Sequence, residues 1–154
     1  MDSRVRETLT SLRGLAEANR SDFEASPSLL GAYQQALRSG RFRYVPDPDT
    51  CGLPDCWSTF LGLRDRYPVG PIPLDCEDIA CAHAAYLLVG ENKPALVGLR
   101  PGRSIAHCVC GIEGPGGTPT KIGTPKSVID PSVDCGMPPL PTYDGIAWMR
   151  VRRL

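Results

Sequence analysis

Asp75-Cys76-Glu77-Asp78, running into Ile79-Ala80-Cys81-Ala82-His83-Ala84-Ala85-Tyr86-Leu87-Leu88, is the stretch on which the reading of this chain turns. The approach to it, Tyr67-Pro68-Val69-Gly70-Pro71-Ile72-Pro73-Leu74, is broken by Pro and Gly and cannot be helical. The residues after Cys76 are good helix formers, with apolar positions at 79, 80, 84, 87 and 88. Cys76 is therefore expected in the first turn of a helix that stops near Gly90-Glu91-Asn92. Unpaired backbone N–H groups and the positive end of the helix dipole favour a thiolate at that place, which is what a cysteine nucleophile requires.

Working outward, two amphipathic helices precede this box. Val5, Leu9, Leu12, Leu15 and Ala16 recur at helical spacing over residues 3–20. Ser26-Pro27 reads as an N-cap followed by Pro at the first helical position, opening a second helix through Leu29, Leu30, Tyr33, Ala36 and Leu37 to Gly40. Arg41 to Val45 reads as extended, and Cys51 to Gly62 as either a short helix or a packed loop. After the box come four strand-like runs, 95–99, 105–112, 127–130 and 146–151, with connections that suit an antiparallel sheet. Helices first and strands afterwards is an α+β pattern, with residues 1–40 a helical segment and 41–154 the rest of one compact domain.

Composition narrows the function classes. The 17 basic and 17 acidic residues balance, so no global field points to nucleic acid or to an anionic membrane. No run approaches the length of a membrane span, and Met1-Asp2-Ser3-Arg4-Val5-Arg6 lacks the apolar core of a signal peptide. The expectation is a cytoplasmic protein, or a virion component if phage-encoded, with its 7 cysteines held as thiols. Cys51-x4-Cys56 and Cys108-x-Cys110 do not make a convincing structural zinc site, because no second tight pair exists.

A thiolate nucleophile needs an imidazole, and the imidazole needs an acceptor for its other N–H. The chain has 2 histidines. His83 lies seven residues beyond Cys76 on the same helix, roughly 10 Å along the axis, and cannot reach the sulfur. His107 is then the base, in a run whose alternation puts His107, Val109 and Gly111 on one face and Cys108 and Cys110 on the other. Asp130 ends a strand just before Pro131 and is well placed to accept from His107; Asp134 and Asp144 are its competitors in turn-rich sequence. The Cys76 backbone N–H is the expected oxyanion donor. The carboxylates of Asp75, Glu77 and Asp78 oppose a thiolate; they read as ordinary first-turn acids, or as oxygen ligands for a hard cation between Asp75 and Glu77.

Arg43-Tyr44-Val45-Pro46-Asp47, Asp55-Cys56-Trp57-Ser58-Thr59 and Asp75-Cys76-Glu77-Asp78-Ile79-Ala80, followed by a His in a strand and an Asp ending another, resemble the bacterial transglutaminase-like cysteine proteinases of the papain/transglutaminase-like clan. The resemblance covers about residues 41 to 135. It implies a papain-like fold, a Cys-His-Asp triad on Cys76, His107 and Asp130, an oxyanion contribution from the loop carrying Trp57, and a calcium site at Asp75 and Glu77. Relatives that release surface adhesins are exported, and with no signal peptide here that substrate is not carried over. The papain-like peptidases that cleave cell-wall peptides expect Ser-Gly after the cysteine, where this chain has Glu77-Asp78.

Two functions are thus expected. One is a cysteine-dependent hydrolase or acyltransferase acting on a protein or peptide through a thioester. The other is a non-catalytic module of the same fold that serves an assembly partner, for instance in a virion.

Overall fold

In the computed structural model, residues 2–45, 57–102, 106–114 and 128–153 are described. Helices α1 (Ser3–Ala25) and α2 (Pro27–Arg38) come first, then β1 (Phe42–Tyr44), α3 (Phe60–Arg66), β2 (Ile72–Leu74) and the central helix α4 (Cys76–Val89). Strands β3 (Ala95–Arg100), β4 (His107–Ile112) and β5 (Val128–Ile129) follow, then the single-turn helix α5 (Pro131–Asp134) and β6 (Ala147–Arg150). This is an α+β arrangement, as its order in the sequence implies. No helix among the described residues is long and apolar enough to cross a membrane.

Local chemistry sets the helix boundaries. The Ser26 side chain accepts from the Leu29 N–H at 3.2 Å and Pro27 opens α2, which ends before Gly40 at φ 70°. The 51–62 ambiguity resolves, in its described part, into a helix at Phe60 whose cap is Thr59: its hydroxyl accepts from the Gly62 N–H at 3.1 Å. Cys51 and Cys56 lie outside the described residues.

The strands form a four-stranded sheet in the order β5-β4-β3-β6, antiparallel throughout, and a separate parallel pair of β1 with β2. Both β3 and β4 are buried at five consecutive positions, so both of their faces are covered. Gly98 pairs with Trp148 across the ladder, and a Cβ there would come within 2.7 Å of the indole ring. Only a residue without a side chain lets Trp148 cross β3.

Helix α4 runs through the middle of the molecule. One side, with Cys76, Ala80, Cys81, Ala84, Leu87 and Leu88, packs with Leu9, Leu12 and Ala16 of α1 and with Val97, Leu99, Cys108 and Cys110 of the sheet. The other side, with Ile79, Ala82 and Ala85, packs with Phe23, Leu29, Tyr33, Phe42, Phe60, Leu63, Ile72 and Leu74. The small residues of α4 let its neighbours approach closely on both sides. Helix α1 is thus built into the core that carries Cys76. Polar contacts fix the packing: the Cys81 thiol donates to the Leu12 carbonyl at 3.3 Å, and the buried Asn19 side chain accepts the Phe60 N–H at 2.9 Å. The Glu17 carboxylate takes the Arg152 guanidinium at 2.8 and 2.9 Å, tying the segment after β6 to α1.

Candidate active site

The parallel ribbon β1–β2 delivers the chain to the head of α4. Leu74 pairs with Tyr44, its carbonyl accepts the Val45 N–H at 2.7 Å, and the next residue is the N-cap Asp75. Asp75 and Asp78 form a reciprocal capping box, each side chain accepting the other's backbone N–H at 3.4 Å. Asp78 reaches further and accepts the Ser58 N–H at 2.8 Å, anchoring the loop that carries Trp57. Cys76 is the first helical residue, as the punctuation before it implies, and is buried with 5% of its surface exposed.

The strand side supplies the imidazole. His107 opens β4 opposite Arg100 of β3, is 7% exposed, and lies close enough to Cys76 to hydrogen-bond it. Its Nε2 bonds both oxygens of Asp130, at 2.9 and 3.0 Å. The Tyr143 hydroxyl donates to Asp130 Oδ2 at 2.8 Å. With Nε2 engaged by the carboxylate, Nδ1 is the ring nitrogen left for the sulfur. The three residues nominated from the sequence are therefore brought together in the order sulfur, imidazole, carboxylate. Asp134 lies in α5 and Asp144 in a turn, and neither is a hydrogen-bond partner of His107 among the described contacts.

The electrostatics follow from these contacts. The Cys108 thiol beside the sulfur is the largest influence on Cys76 and favours its thiolate; burial opposes this, His107 adds a hydrogen bond and a positive charge, and the thiol titrates at about 5. Burial alone would lower His107, but the Asp130 and Cys76 contacts outweigh it and raise the imidazolium to about 9. Both shifts favour the charged forms, the direction that a thiolate–imidazolium pair requires. The neighbouring acids move the other way. Burial, together with the Cys76 charge, lifts Glu77 to about 7, and burial with Asp75 lifts Asp78 to about 8. Protonated acids oppose a thiolate less than carboxylates do, so part of the conflict seen in the sequence is removed by burial itself.

Sequence reasoning missed two participants. Cys108 shares the α4-facing side of β4 with Cys110, as alternation assigns, and its sulfur, the Cys76 sulfur and a Glu77 carboxylate oxygen all lie within 4.8 Å of one another, a meeting that the strand pattern does not signal. Tyr143, which steadies Asp130, lies in a turn-rich segment with no local signal. Trp57 packs against the Cys76 core, and its indole N–H is buried with no hydrogen-bond partner among the described residues. Beside His107 a cleft of about 320 Å³ is lined by Tyr44, Arg100, Pro101, Gly102, Met137 and Leu140. That is the lower end of the range for ligand sites and suits a single side chain or short peptide segment.

His83 lies elsewhere. Its Nδ1 shares a 2.8 Å hydrogen bond with the Tyr33 hydroxyl, and its ring packs against Tyr33 and Tyr86. Searches with the whole chain matched no family model, no curated protein and no solved structure.

Proposed function

We propose that the chain is a cysteine-dependent hydrolase or acyltransferase with a papain/transglutaminase-like fold, acting on protein or peptide carbonyl groups. The observation that carries this reading is the line of Cys76 at a helix N-terminus, His107 beside it, and Asp130 on His107 Nε2 at 2.9 Å. In this mechanism the Cys76 thiolate adds to the substrate carbonyl carbon. The displaced electron pair moves onto the carbonyl oxygen, which the Cys76 backbone N–H and the unpartnered Trp57 indole N–H are suited to receive. His107 gives its proton to the departing amine, the C–N bond breaks, and a thioester forms. It then takes a proton from water, or from an attacking amine, as that nucleophile resolves the thioester. Asp130, held by Tyr143, keeps the imidazole oriented throughout.

The calcium site implied at Asp75 and Glu77 fits these donors poorly. Asp75 is committed to the helix cap, and the Glu77 carboxylate converges with two sulfurs, whereas calcium takes about six to eight oxygens. No step is derived through calcium. If the ion is bound nonetheless, a chelator that removes it should lower the melting temperature.

The shallow exposure of Cys76 and His107 favours a second reading, a non-catalytic module with an assembly partner. Labelling with a thiol-reactive probe near pH 7 separates the two. A nucleophilic Cys76 reacts far faster than every other cysteine, and uniform slow labelling would favour the assembly reading.

A further inference from the structure

We propose that the mouth of the nucleophile is also a binding site for a soft, thiophilic divalent cation of the zinc class, held by Cys76 Sγ, Cys108 Sγ and a Glu77 carboxylate oxygen. The site coincides with the one above, but this assignment rests on donor geometry and needs no turnover. The three donor atoms lie within 4.8 Å of one another. Around a tetrahedral ion with Zn–S of about 2.3 Å and Zn–O of about 2.0 Å, neighbouring donors stand roughly 3.5 to 3.8 Å apart, so side-chain rotation closes the set. Glu77 Oε2 is buried and is itself without a hydrogen-bond partner among the described residues, although the Glu77 carboxyl also interacts with Asp75. It stands next to a sulfur that must carry negative charge to be a nucleophile, and a cation between them turns that repulsion into shared attraction. Cys108 has no bond-making part in the acyl-transfer steps, yet its sulfur is the one brought to the nucleophile.

Two thiolate sulfurs are soft donors and outnumber the one hard carboxylate oxygen, a set that selects zinc, cadmium or cobalt over calcium. Binding forms two metal–sulfur bonds and one metal–oxygen bond and releases the Cys108 thiol proton to solvent, together with any proton on Cys76 or Glu77. Water completes the coordination. The Cys76 lone pair is then tied up in the metal bond and unavailable for attack, so the cation is a reversible block on the site.

The test is titration of the reduced full-length chain with Co²⁺, Zn²⁺ and Ca²⁺. The expected result is one Co²⁺ per chain, a sulfur-to-cobalt charge-transfer band, displacement by Zn²⁺ but not by Ca²⁺, and protection of Cys76 from alkylation that EDTA reverses. Cys108→Ser and Glu77→Gln should each weaken the band's midpoint by about tenfold or more. Circular dichroism of the metal-free variants checks that they fold. A band unchanged in Cys108→Ser places the thiolates elsewhere and overturns the proposal, as does absence of the band from the wild-type chain or its displacement by Ca²⁺. A chain with the band and no turnover would sink the proposed function alone; turnover without the band would sink this one alone.

Discussion

Two histidines, His107 buried and His83 half-buried, have opposite fates. His107 meets a carboxylate and a sulfur, and its imidazolium persists to about 9 in spite of burial. His83 meets a phenol and aromatic rings, and burial lowers it from its ordinary 6.5. Burial acts on both, so it is the partners that separate the two rings, and under the proposed function they make His107 the proton shuttle. The elements that supply those partners come from different scales of the chain. Tyr33 reaches His83 from α2 and Tyr86 from the next turn of α4 itself, whereas Cys76, Asp130 and Tyr143 reach His107 from outside its strand.

The comparison is broken most sharply at the sulfur. Cys76→Ala should reduce turnover to background, a loss of about 10⁴-fold or more, with little change in melting temperature. His83→Phe should leave kcat within about twofold, and equal losses in the two variants would erase the distinction. Next in size, Asp130→Asn should cost roughly 10²- to 10⁴-fold in kcat by destroying the preference for the productive tautomer. Tyr143→Phe should cost less, because it removes one of the carboxylate's partners and leaves His107 on it.

The pH dependence sharpens the same contrast. Activity should rise as pH passes about 5, where Cys76 ionises, and fall as it passes about 9, where His107 loses the proton the leaving amine needs. His83 should instead leave its mark on stability, against the opposite contributions of Glu77 and Asp78, whose raised values favour the fold as pH falls. The folded pKa of His83 lies below 6.5, so the unfolded chain binds the extra proton first, and this contribution is present above 6.5 and lost as pH falls. From pH 7 down to pH 5 the melting temperature of His83→Phe should therefore shift upward relative to that of the wild type. The smallest effects lie away from both histidines. Gly98→Ala should destabilise by about 1–3 kcal/mol through its clash with Trp148, and Asn19→Ala by a similar amount through the orphaned Phe60 N–H, both readable by urea unfolding.

What was legible in the sequence was what local chemistry decides. Ser26-Pro27 and Asp75-Cys76 announce helix starts because caps and proline act within one turn. His107 and Asp130 were found by elimination among few candidates, each at a strand end. The pairing of β1 with β2 was not legible, because it joins segments across the intervening α3 and leaves no period in either. The cap at Thr59 and the turn of helix α5 are one-residue and one-turn matters below what composition can resolve. Cys108 keeps the face that alternation assigns it, with Cys110 toward α4; what alternation cannot tell is that this face meets Cys76.

The short ribbon beside the nucleophile has a mechanical consequence. Tyr44 walls the cleft and at the same time grips Leu74, two residues upstream of the sulfur. Whatever seats itself against that ring presses on the rail along which Cys76 is mounted. Under the proposed function, occupancy of the cleft and alignment of Cys76 are geared together, and a looser ribbon would let both drift at once.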